Sequence, residues 1–224
     1  MLLRTLAVVL PLVALAPQTQ DAPLRSLLPL PKKSIALAST KENPLTLDVL
    51  LTRLSEETGV TFSCETVVRN LLLRQRVEIS QSVELAPEQA YPWIEGLLVQ
   101  NGYQLGILNI EAKPLVGVYP MFRQSGPSAD PVSHFVPIER IGECRVHPAL
   151  MVTTVIDMGP NIDARTLGNS LRGLTGNDQF ASIMPVANLN SVIVKGFGLS
   201  VVNLADLLAT TRQQADDAAK VREK

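Results

Sequence analysis

Aromatic side chains are scarce in this 224-residue chain: Trp, Tyr and Phe together make up 4% of it. A packed interior must therefore be aliphatic, drawn from the 46% of residues that are hydrophobic, a share ample for one large or two modest cores. Histidine is nearly as rare, with His134 and His147 the only two. A hydrolytic triad needs a histidine oriented by a carboxylate beside a nucleophile, and neither histidine sits by a G-x-S-x-G elbow. No catalytic residue is assigned, and a non-enzymatic protein is expected. An excess of one charge sign is missing too: 20 basic residues face 21 acidic ones, a net charge of −1. General electrostatic capture of nucleic acid or anionic lipid is thereby excluded.

Two cysteines, Cys64 and Cys144, are too few for a disulfide scaffold. They fall in different halves, where a bridge would staple the halves together; free, buried thiols are the expectation. With His134 and His147 they make one arithmetic Cys₂His₂ set, and Cys144 and His147 form a C-x-x-H. The four come from separate segments and lack a second close pair, so inert thiols and surface histidines are expected, His147 in a turn before Pro148, with no metal and no cofactor.

What is present starts with a short positive flank at Met1 to Arg4, an apolar run from Thr5 to Leu15, and the small-x-small ending Ala14-Leu15-Ala16. The run is well below the ~20 residues of a spanning helix, so residues 1–16 read as a cleaved secretory signal, leaving no membrane span. Residues 17–42, rich in Pro, Leu, Ser and Lys and without sustained periodicity, read as a flexible tether.

The stretch around which the rest is organised is Leu85 to Leu108. Pro87 stands where a helix's first turn tolerates it, Ala90, Trp93 or Ile94, Leu97 and Leu98 recur at helical spacing, and Gly102 ends the run. Tyr103, Leu105 and Ile107 then alternate as a strand, and a hairpin about Leu108 and Asn109 leads into a partner strand up to Tyr119. Pro92, beyond the free first turn, predicts a kink or a later helix start. Before it, Thr46 to Thr58 is a helix with a Leu47, Leu50, Leu51, Leu54 stripe, capped by Thr46 and ended by Gly59, and Val60 to Cys64 is a short strand. Residues 65–75 read equally as a helical turn or a buried extended run. Val77, Ile79, Val83 and Leu85 alternate as a strand.

Residues 121–133, with prolines and Gly126, read as a linker. Beyond it come an edge strand at His134 to Ile141, a β-branched strand at Met151 to Met158, and a helix from Asn161 with Ala164, Leu167 and Leu171 inward and Leu174 a further candidate for that face. Strands at Phe180 to Val186 and Ser191 to Lys195 flank a polar A-N-L-N turn. A final helix is capped by Ser200, and a polar tail covers 213–224.

The phrase P-E-Q-A-Y followed by L-V-Q-N-G-Y resembles the second helix and following strand of the first periplasmic domain of secretins, the ring-forming gates of type II secretion and type IV pilus systems. The second half resembles the next secretin domain through V-I-D-M at Val155 to Met158, L-R-G-L at Leu171 to Leu174, and the N-x-x-I-V-x-G pattern from Asn190 to Gly196. The implied fold class is α+β: two small α/β domains, each a short mixed sheet packed against two helices, over residues 43–120 and 134–212. The second is KH-like, in the order strand-helix-strand-strand-helix. Only a polar tail follows, so the roughly eight strands of even the smallest membrane barrel cannot be built, and gate formation is not carried over.

Gly173-Leu174-Thr175-Gly176 is a G-x-x-G, the loop with which KH domains grip nucleic-acid backbone. Here it joins a helix to a strand beside a single cation, Arg172, so a helix end and turn is expected and no nucleic acid. The resemblance instead implies a periplasmic protein-interaction module, with partners in a secretion or pilus-like envelope complex and a homo-oligomeric ring. The alternative is a soluble sensor similar to the N-terminal domain of TonB-dependent transducers.

Overall fold

The computed structural model describes residues 25–38, 44–122, 132–175 and 182–222; the expected signal segment and residues 123–131, most of the expected linker, lie outside them. Local sequence rules account for most of the first half. Thr46 Oγ1 accepts from the Val49 amide at 3.4 Å to start α1 (Leu47–Thr58), and Gly59, at φ 75°, closes it in the left-handed conformation that glycine adopts without strain. Leu47, Leu50, Leu51 and Leu54 are the buried stripe. After β2 (Thr61–Ser63) the open segment resolves as helix α2 (Thr66–Arg74), because Val68 and Leu72, one turn apart, are the pair that reaches the core. The first half thus has three helices, not two.

Helix α3 (Pro87–Gln100) runs unbroken through Pro92. The ring is exposed, away from the buried Tyr91, Ile94 and Leu98, so the helix loses one hydrogen bond without disturbing its packed face. Strand β4 (Tyr103–Asn109) and β5 (Leu115–Pro120) are antiparallel, and β2 joins β5 in parallel, giving the order β2-β5-β4. The hairpin turn falls later than expected because Asn109 Oδ1 accepts from the Glu111 amide at 3.0 Å and forms the turn with its own side chain. A register irregularity between Ile107 and Asn109 leaves Leu108 bulged and exposed. Gly106 pairs with Gly117; a Cβ on Gly106 would lie 2.7 Å from the Val132 backbone carbonyl, so that position must lack one, while a Cβ on Gly117 would meet only the end of the Tyr119 side chain.

Residues 25–38, expected within the tether, are instead packed. Leu27 and Leu28 are buried, and β1 (Ile35–Leu37) pairs antiparallel with β3 (Val83–Leu85). The prolines there forbid helix but suit an extended strap, and alternating Ile35 and Leu37 supply its buried side.

In the second half the order β6-β7-β9-β8 comprises β6 (His134–Phe135), β7 (Met151–Asp157), β8 (Ser182–Val186) and β9 (Ser191–Phe197). The expected edge strand stops after two residues, since Pro137 has no N–H to pair, and a 3₁₀ helix (Ile138–Val146) follows. Helices α4 (Ala164–Thr175) and α5 (Gly198–Arg222) complete the strand-helix-strand-strand-helix order from β7 onward. Helix α5 extends through the expected polar tail: the Arg212 guanidinium donates to the Asp157 carbonyl at 3.0 Å, and Asn161 Nδ2 to Asp216 Oδ1 at 2.8 Å. Gly173 to Thr175 are helical rather than looped; Gly176 lies outside the described residues.

Asn190, at φ 46°, organises this half. Its side-chain oxygen accepts from the Ala164 amide at 2.9 Å, at the first residue of α4, while its Nδ2 donates to the carbonyls of Gly159 and Ile162.

The two halves, expected as independent bodies, share buried contacts. The Leu105 amide of β4 donates to the Ala149 carbonyl at 2.8 Å, and the buried apolar set continues from the first half into the second.

Candidate functional site at the joint between the halves

Where the halves meet, three polar side chains come together, the third of them, Ser26, only half-buried. Glu95 lies on the inward face of α3 between Ile94 and Leu98, and His147 follows the 3₁₀ helix; both are fully buried. Glu95 Oε1 is 2.7 Å from His147 Nδ1, and Oε2 accepts from the Ala149 amide at 2.9 Å. His147 Nε2 lies 2.9 Å from Ser26 Oγ in the strap, 121 residues away in sequence. The Tyr91 ring meets the imidazole edge-on at a centroid distance of 4.6 Å. Gly198, at the start of α5, closes the site from the other side: a Cβ there would stand 2.6 Å from the His147 carbonyl and 2.8 Å from that of Cys144.

Every polar atom named has a partner, which is what a buried carboxylate and imidazole require if their desolvation is to be offset. Burial pushes the Tyr91 hydroxyl well above its ordinary range, keeping it neutral, and it donates to the Pro29 carbonyl at 2.9 Å. Burial, with the negative charges of Glu143 and Glu95 nearby, pushes the Cys144 thiol up to about 12.

The order Ser26, His147, Glu95 reproduces the connectivity of a hydrolytic relay. The imidazole has no exposed surface, while Ser26 is half-buried. The arrangement fixes three elements, strap, α3 and the 146–150 turn, against one another.

His147 was expected at the surface because Pro148 marks a turn; the turn is present but folds inward beneath α3. His134 stands apart, in β6, where burial and then the Arg140 charge lower its pKa. Cys64 and Cys144 are free thiols, and burial raises Cys64 as well. Among the described residues no three His, Cys, Asp or Glu side chains form a metal-binding group, and both ring nitrogens of the C-x-x-H histidine are already engaged. Glu95 and Ser26 escaped sequence reasoning. The one available signal for Glu95 was a lone carboxylate on the apolar stripe of an otherwise regular helix.

Among the described residues two surfaces offer apolar contact. Strand β8 is a sheet edge, and beside it Ile183, Val194, Val201, Leu204 and Leu207 line a mainly apolar groove between β9 and α5. On α2, Val67 and Leu71 are exposed one turn apart.

No family model and no curated protein matches the chain. Among solved structures it is similar to the Klebsiella pneumoniae type II secretion system outer membrane complex of PulD, PulS and the PulC HR domain, at 17% identity and a TM-score of 0.51, over 75% of this chain and 26% of that one. It also aligns with the enterotoxigenic Escherichia coli GspC-GspD complex (14% identity, TM-score 0.29, 80% of this chain and 99% of that one). A third match is the N-terminal domain of the secretin XcpQ from Pseudomonas aeruginosa (14%, 0.26, 80% and 64%). Superpositions as loose as the last two carry no weight. This chain covers about a quarter of the first, and that likeness shows a shared α+β fold with part of the complex.

Proposed function

We propose that the protein is an exported, non-catalytic interaction module resembling the periplasmic part of a secretin, and that it serves as an accessory scaffold in a type II secretion or pilus-like envelope assembly. The fold likeness to the PulD complex carries this reading. It is supported by the sheet edge at β2, which can recruit a strand without dedicated side chains. Among the described residues no helix is long and apolar enough to cross a membrane. Its working units are residues 43–120 and 134–212, the second of KH-like order, and rings of copies fit the same surfaces.

Light scattering of the mature protein, alone and mixed with purified secretion-system envelope proteins, tests this. Self-association, or a defined complex that needs both halves, is expected. A monomer that binds none of them defeats the scaffold reading, and binding through residues 43–120 alone favours the sensor alternative.

A further inference from the structure

The strap touches both halves at once. Ser26 reaches His147 in the second half, while Pro29 accepts from Tyr91 and the Lys32 amide donates to the Glu57 carbonyl at 3.2 Å in the first. Between these ties Leu27 and Leu28 are buried. Pro29 and Pro31 hold the strap extended, so docking it costs less chain entropy than an ordinary loop of that length. Such a segment, held by one hydroxyl, two leucines and backbone carbonyls, has the chemistry of a bound peptide.

We propose that the joint between the halves is a binding site for a short extended peptide of hydroxyl–apolar–apolar–proline pattern, filled in cis by residues 25–30, and that its occupancy sets how firmly the halves hold together. Ser26 occupies the second ring nitrogen of His147, and the other nitrogen orients the Glu95 carboxylate that accepts from Ala149. Emptying the site thus loosens the same turn whose Ala149 carbonyl accepts from Leu105.

The test uses the full-length protein in three forms. Ser26→Ala, which keeps the leucines, is expected to speed hydrogen exchange at the Ala149 and Leu105 amides about fivefold, as loss of one hydrogen bond implies, while the β7–β9 amides stay unchanged. Leu27→Asp/Leu28→Asp is expected to expel the strap, and a synthetic peptide of residues 24–32 is then expected to bind that variant, not the wild type, and to restore slow exchange. Unchanged exchange in both variants, or no peptide binding to the expelled form, overturns the proposal. So does rapid covalent labelling of wild-type Ser26 by a fluorophosphonate, which would show an activated nucleophile rather than a structural tie.

Discussion

The joint and the Asn190 corner are both polar knots in aliphatic surroundings, yet they are built at different ranges. Asn190 gathers groups 26 to 31 residues away within one half. The joint ties side chains 52 and 121 residues apart and spans the halves. A local knot fixes the shape of one unit; the distant one fixes how two units sit together. Removing them should fail differently.

The largest effect is expected at the joint. Glu95→Ala leaves His147 and the Ala149 amide without their buried acceptor and should cost about 3–5 kcal/mol, with the two halves unfolding in separate steps in urea. Glu95→Gln, which keeps the shape and one acceptor, should cost less than half as much. A single transition of unchanged midpoint for Glu95→Ala would mean that the halves do not lean on this pair. Asn190→Ala should come next, at about 2–3 kcal/mol, since it removes the link to α4 and places alanine at positive φ. Asn190→Gly relieves the backbone cost and should recover part of it; equal losses for both variants would show that the side-chain bonds alone matter.

A smaller contrast separates the cysteines. Cys144 is fully buried with a thiol pKa of about 12, and Cys64 is partly exposed, so a disulfide-exchange reagent at pH 8 should modify Cys64 first and Cys144 only on unfolding. The folded-state pKa of Cys144 lies above its ordinary value, so its share of stability is complete below about pH 9 and is lost as pH rises toward 12. Wild type should therefore lose stability faster than Cys144→Ala over that window, measured by urea titration. Least of all, Arg145→Ala removes an exposed 2.7 Å pair with Asp206 and should change stability by under about 1 kcal/mol; a loss as large as that at Glu95 would overturn the distinction between interior and surface charge.

Elements such as α1 and β7 were legible because their signals are local, whereas the strand read from Val77 to Leu85 is confined to Val83–Leu85. Thr46 and Gly59 bracket α1, the leucine stripe gives its buried face, and the β-branched run at 151–157 has one plausible use. Residues 66–74 were not legible, since Val67, Val68, Leu71, Leu72 and Leu73 fit either period until α1 is there to select Val68 and Leu72. The joint was hidden for a stronger reason. Ser26 sits in a proline-rich segment that looks unstructured, His147 beside a turn-making Pro148, and Glu95 among helix formers that tolerate glutamate anywhere. Nothing in one-dimensional spacing tells that these three meet.

Gly198 has a mechanical consequence. It roots the 25-residue α5 directly against the carbonyls of Cys144 and His147, and a helix of that length extends about 37 Å. Such a rod is a lever arm: a sideways load on the end near Arg222 becomes torque at its fulcrum, the place where the two halves touch.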